Sequence, residues 1–494
     1  MSFPVRAGCT DRAKQSPLVR VCQQPASYSI TGISTEIVVA QYDEGSFMSS
    51  MQALENVRAI LASADAKLEK LRSIEPYFID VSLRENPVGS NIGQTLRDKL
   101  AILPKLREFG FQNISLGTLD YAIPDELEVD DDFMMHLRDK SVDMKGCFAF
   151  TALGIASTDG KFTPDPSQVK LKNYGVPNTV HEIYLSKNGM SGLYDFQTLR
   201  RSLPVSIQWL HDNIRGDDGG APRIFINIAD GCDAFSQNIE ETCAILSLLA
   251  KLPITGVTFE DDRGTYLPLQ VGAYVAIARE FLPPPLKLLV HIHAGGGFEN
   301  ASTIEALLNG ADGLWGGLPK RAAIIGHASI GELMANLVRV GNKHVQHYRL
   351  DQLLPLATGF QQIDEMAPVP DDLPILGHNA YRLTMTTFRQ LKDRFMDLAP
   401  EAIGGTYGYR VCPQISDQPV IAGRLAEVTG QPPESFGDDV TEQMIRLIRR
   451  DLRTGRRIDY DKAENLLDLY MRAKLFCAHS NPLLQHQMQT VPEI

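Results

Sequence analysis

The sequence predicts an α/β fold: a (β/α)8 barrel, with an N-terminal extension before it and a mainly helical region after it. Three observations predict it. Eight short β-rich runs follow one another from residue 76 onward. Segments of helical periodicity separate them, as parallel strands with crossover helices require. No GxGxxG follows the first run, which removes the fingerprint of the open, doubly wound alternative. Eight such units, alternating regularly over about 260 residues, close naturally into a barrel.

Taken in order, residues 1–75 form the extension, with one helix expected over 48–71. Its first 35 residues carry Arg6, Arg12, Lys14 and Arg20 against Asp11 alone, and read either as a disordered tail or as an organelle transit peptide. The barrel spans 76–350. Its expected strands are 77–83, 113–118, 145–153, 179–186, 223–230, 256–262, 286–294 and 312–318, and its helices include 95–111, 196–214, 238–252 and 300–310. Pro104 and Pro204 fall inside two of these helices and predict a kink or a late start. From 351 to 494 helical segments alternate with proline-rich connections, and the stretch 441–476 reads as two helices split at Gly455.

Composition narrows the function classes. A chain of 494 residues with 44% hydrophobic and 22% charged residues buries a large core. Its apolar runs fall far short of the roughly 18–20 residues of a membrane span, so a soluble, cytoplasmic protein is expected. A net charge of −12 and a pI of about 5.5 argue against nucleic acid or an anionic membrane as partner. The seven cysteines are widely spaced without a CxxC pair and read as reduced thiols.

The chemistry concentrates at the carboxyl ends of the expected strands, where barrel active sites are built. In the seventh run, HIHAGGG, residues i and i+2 of a strand share a face, so His291 and His293 present both imidazoles to one side. Such a pair suits Zn, Fe, Mn or Co, and buried, hydrogen-bonded histidines are the alternative. The first run ends DVSLREN, placing Asp80, Arg84 and Glu85 at the same mouth. A carboxylate there is a third metal donor, and a guanidinium beside it holds a carboxylate or a developing oxyanion. GHAS, just beyond the eighth run, adds His327.

These stretches together resemble the DRE-TIM metallolyases, which include the 2-isopropylmalate and homocitrate synthases and hydroxymethylglutaryl-CoA lyase. DVSLREN is similar to their D-T-T-L-R-D-G, the stretch from His291 to Ser329 to their H-x-H through G-N pattern, FEDDRGTYLP to their D-T-x-G-x-x-x-P, and TVHEIYLS to their histidine-containing fourth strand. LPILGHNAY and PEAIGG resemble the C-terminal subdomain of the synthases. The resemblance covers residues 76 to 460 and implies a divalent metal held by Glu85, His291, His293 and His327. It also implies a 2-oxo acid bound by Arg84, with Ser115 and Ser186 at substrate positions.

Departures accompany the matches. Ser115 stands where the family has a glutamate, Ala294 and Gly295 where it has acidic residues, Phe388 where the synthases have a histidine, and Asp262 where a threonine is expected. A rebuilt acid–base set is implied, with His181 or Asp262 as the base. The expected reaction is a Claisen-type condensation of an acyl-CoA with a 2-oxo acid, in a homodimer. The alternatives are a metal-dependent lyase, an iron enzyme that uses oxygen, and a barrel without catalytic activity.

Overall fold

The computed structural model describes residues 44–90, 92–119, 127–320, 326–365, 370–371, 373–386 and 398–480. The chain divides into two compact units, Met1–Asn56 and Val57–Ile494. Of the first, residues 44–56 are described, the opening turns of a helix that runs Glu44–Ser73.

The second unit contains a closed barrel of eight parallel strands: β1 Tyr77–Asp80, β2 Ile114–Thr118, β3 Cys147–Ala152, β4 Asn178–Ile183, β5 Ile224–Ile228, β6 Gly256–Asp261, β7 Lys287–Ile292 and β8 Gly313–Gly316. Each pairs with its neighbour in chain order and β8 returns to pair with β1. All eight expected strands are present, several shorter than expected at their carboxyl ends. The first stops at Asp80, and Val81–Arg84 form a turn that leads into a short helix, Glu85–Gly89. The seventh stops at Ile292, and His293 instead makes an isolated bridge with His327.

Alternation along the strands divides the core in two. Ile79, Val81, Phe148, Phe150, Val180, Phe225, Leu289 and Trp315 fill the barrel interior. Their strand neighbours, such as Ile226, Val257, Leu288, Val290 and Leu314, face outward into the larger core against the helices. Runs that are apolar at every position are what strands buried on both faces require.

The helices Leu96–Phe109 and Phe196–Asn213 begin well before Pro104 and Pro204 and continue through them, so the expected late starts do not occur. Caps fix those starts. Thr95 and Asp98 form a reciprocal capping box, and the Asp195 carboxylate accepts from the Thr198 amide.

Beyond the barrel lie the helices Leu353–Glu365, Gln418–Thr429, Asp438–Arg453 and Ala463–Ser480. The expected break at Gly455 falls between the last two, with φ +83° at that glycine. Leu425, Phe436, Met444, Ile448, Tyr460 and Leu466 build a separate small core there. No helix among the described residues is long and apolar enough to cross a membrane.

Candidate metal centre

The register of β7 decides what meets at the barrel mouth. Leu289 points into the barrel, so His291 and His293 do too, while Leu288, Val290 and Ile292 face the helices. The two imidazole rings lie edge to face with centroids 4.7 Å apart, and the ring of His327 is 5.2 Å from that of His291. All three side chains are buried.

Their hydrogen bonds fix where the protons sit. Nδ1 of His291 is 2.9 Å from the Trp315 carbonyl, and a carbonyl only accepts, so Nδ1 carries the proton and Nε2 is a bare lone pair. Among the described residues that Nε2 has no hydrogen-bond partner; it lies 3.9 Å from an oxygen of Glu85 and 3.9 Å from one of Glu260. His327 likewise donates from Nδ1 to the Ala328 carbonyl at 2.8 Å, and its Nε2 accepts from the Gly317 amide at 3.3 Å. Nε2 of His293 donates to Glu260 Oε1 at 3.1 Å, which leaves Nδ1 buried without a partner.

Burial, and then the neighbouring imidazoles, hold His291 well below the usual histidine range, and burial pushes His327 down to about 3. Both rings are therefore neutral at physiological pH, the form that binds a metal. One donor atom from each of Glu260, His291 and His293 lies within 4.8 Å of the others. The bare Nε2 of His291 facing two carboxylates, beside a second imidazole already at hydrogen-bond distance from one of them, is a donor set suited to a divalent cation, so the residues fit the group.

The turn after β1 brings the other components. Backbone bonds from the Arg84 and Glu85 amides to the Val81 carbonyl, both 2.8 Å, tighten it. Asp80 anchors it by accepting from the Ser82 amide and hydroxyl, each at 3.0 Å, and burial pushes its carboxyl up to about 7. The Arg84 guanidinium sits 4.1 Å from the Phe150 ring centroid, donates to Thr118 Oγ1 at 3.0 Å and pairs with Glu85. Stacked and buried, it is held at the floor of the mouth.

The structure thus brings together Arg84, Glu85, His291, His293 and His327. Asp262 follows β6 at the same rim, half exposed, with its carboxyl pushed up to about 6 by burial and by the charges of Glu260 and Asp233. Ser115 pairs in register with Phe148 and so lies inside the barrel, its hydroxyl buried without a partner. Ser186 is engaged elsewhere: its hydroxyl accepts from the Gly189 amide and its own amide donates to Asp230. His181 lies on the outer face of β4, with Nδ1 3.0 Å from the Thr151 hydroxyl and Nε2 3.4 Å from that of Ser206 on a surrounding helix. Phe388 lies outside the described residues.

Glu260 is the member that motif reading missed. It stands directly opposite His291 in the pairing of β6 with β7. The signal was present in FEDD, since Glu260 and Asp262 share a face, but which face is inward is set by the barrel. Gly264, in the turn that follows, has φ +62°, and a Cβ there would stand 1.8 Å from the His293 carbonyl oxygen. Only glycine permits that approach.

No family model matches the chain. It is 23% identical over 308 residues to a protein named (R)-citramalate synthase from Aquifex aeolicus, covering 62% of this chain and 55% of that one. A (R)-citramalate synthase from Streptomyces coelicolor is 21% identical over 335 residues, with 67% and 60% covered. The chain therefore matches less than two thirds of these relatives' length. Among solved structures, the HMG-CoA lyase from Brucella melitensis shares 14% identity at a TM-score of 0.46, over 60% of this chain and all of that one. The HMG-CoA lyase from Pseudomonas aeruginosa shares 13% at 0.45, over 58% and 93%.

Proposed function

We propose that this chain is a divergent member of the DRE-TIM metallolyase superfamily and, within it, a divalent-metal-dependent synthase condensing an acyl-CoA with a short 2-oxo acid. The observation that carries the reading is the bare, buried Nε2 of His291 facing Glu85, with Arg84 stacked beside it. Citramalate, the product for which both relatives are named, is the adduct of an acetyl group and pyruvate, which makes pyruvate the first 2-oxo acid to test.

Glu85, His291 and His293 would hold the metal, a Zn, Mn, Fe or Co ion, and His327 would join them on releasing the Gly317 amide from its Nε2. Such an ion would supply Lewis-acid polarisation of the 2-oxo carbonyl. Arg84 binds the substrate carboxylate and steadies the oxyanion that forms next to it, in a site from which burial excludes water. Asp262 takes the proton from the carbon next to the thioester, a role suited to its place on the rim. That carbon then bonds to the 2-oxo carbon, whose oxygen takes up a proton, and a water admitted after the condensation hydrolyses the thioester, releasing a branched 2-hydroxy acid and free CoA. Ser115 contacts the substrate from inside the barrel, Ser186 serves as a helix cap instead, and the enzyme acts as a homodimer.

A thiol-release assay with acetyl-CoA and added metal tests this against pyruvate, 2-oxoisovalerate, 2-oxoglutarate and oxaloacetate. Release with one of them, strongest with pyruvate, is the expected result. Silence across the panel in a metal-loaded sample overturns the synthase reading. Cleavage of a 2-hydroxy or 3-hydroxy acid by the same sample would replace it with the lyase.

A further inference from the structure

The barrel mouth holds two buried carboxylates, and they are not equivalent. Glu85 pairs with a cation, Arg84. Glu260 has no arginine or lysine partner among the described residues, although it is buried. Its Oε2 accepts from Asn227 Nδ2 at 2.8 Å, and its Oε1 faces Nε2 of His293 at 3.1 Å and Nε2 of His291 at 3.9 Å. Asn227 is itself buried on β5, and its Oδ1 has no partner among the described residues. A buried carboxylate without a cation is costly, and nothing in the packing of the barrel demands one at this position.

We propose that Glu260 is a protein ligand of the metal, alongside Glu85 and the three histidines, and that Asn227 is the positioning residue that aims it. The proposal rests on the metal-dependent reading above and adds to it a donor from β6, to which the resemblance assigns no ligand. It also accounts for the glycines after His293. Gly295, Gly296 and Gly297 are exposed, so no side chain reaches the ions from that turn, and the neighbouring strand supplies the negative charge instead.

Two carboxylates would balance the charge of a divalent ion, and Glu260, whose oxygens face only the Asn227 amide and the imidazoles, would be the carboxylate freer to move when a 2-oxo acid chelates.

Co2+ supplies the readout, because its visible absorption reports coordination number independently of turnover. The full chain, stripped of metal, is titrated with Co2+ as wild type and as Glu260→Gln, Asn227→Ala and His291→Ala. Expected are a loss of about tenfold or more in Co2+ affinity with a changed spectrum for Glu260→Gln, and a loss of up to about tenfold for Asn227→Ala, the effect usual for an outer-sphere partner. Glu260→Asp, which keeps the charge on a shorter arm, folds and binds with a shifted spectrum. Pyruvate added to the wild-type complex alters the spectrum, and added to Glu260→Gln alters it less.

Wild-type affinity and spectrum in Glu260→Gln, with His291→Ala unable to bind, would remove Glu260 from the ligand set and leave the metal-dependent reading intact. Failure of the wild-type chain to bind Co2+ would remove that reading itself. Should Glu260→Gln not fold, Glu260→Asp with an unchanged spectrum would overturn the assignment by the same logic.

Discussion

His181 offers the sharpest test of how the barrel treats its histidines, because its two faces make opposite demands. On the outer face of β4 it is fully buried between two hydroxyls, with no carboxylate beside it, and burial pushes its imidazole down to about 3. An unfolded histidine titrates at about 6.5. Above that pH neither state binds the proton and the residue adds no pH dependence. Below it the unfolded chain takes the proton and the folded chain refuses it, so stability is lost as pH falls from about 6.5 toward about 3. The slope is about 1.4 kcal/mol per pH unit, which amounts to about 2 kcal/mol by pH 5.0.

His181→Gln keeps a polar side chain of similar reach and removes the proton. Urea unfolding at pH 7.5 and 5.0 is the measurement. Wild type is expected to lose about 2 kcal/mol more than the variant between the two pH values. Parallel losses would refute the argument, since they would mean that the folded state accepts the proton. Thiol release by the variant at pH 7.5 is expected within a few-fold of wild type. A fall of about 100-fold or more would place the imidazole in the chemistry instead.

Other expectations bear on the mouth of the barrel. His291→Ala should lose bound metal on equilibrium dialysis, whereas His327→Asn, which keeps a neutral donor, should retain it; metal retained by the first variant refutes the ligand set. Arg84→Lys preserves charge but not the planar stack on Phe150, so kcat/KM for the 2-oxo acid should fall about 100-fold with KM for acyl-CoA unchanged. Asp262→Asn should lower kcat by about 100-fold or more while leaving Co2+ affinity at the wild-type value. Asp364, on the first helix after the barrel, accepts from Asn86 Nδ2 at 3.0 Å and Gln94 Nε2 at 2.6 Å in a buried cluster beside Glu85. Asp364→Ala removes the partner of the buried Asn86 Nδ2 and one of the two acceptors of Gln94 Nε2, which keeps the Ser82 carbonyl, and should cost about 1–3 kcal/mol in thermal or urea unfolding.

Much of this molecule was legible in its residues. The eight strands, the helices between them and the break at Gly455 follow from local periodicity and from turn residues, which act over a few positions. The pairing of His291 with His293 is equally local, because a strand repeats every second residue. His327 and Glu85 came from motif resemblance, and the barrel brings both to the cluster. The strand ends were less legible. Residues 81–84 read as a continuation of β1, yet Asp80 binds Ser82 and turns the chain. His181 and Ser186 sit on a segment that resembles a catalytic strand, but the same strand has an outward face and a capped end, and those are where the two residues lie.

The sequence by itself determined which residue types stand at the carboxyl ends of the strands and which of them share a face. Only the tertiary structure decided which face is inside, which carboxylate lies within reach of which imidazole, and which ring nitrogen is left bare. The reason is physical. Alternation is a property of one strand, whereas Glu260 meets His291 through the register between two strands, and the proton on His291 is placed by a carbonyl 24 residues away on a third.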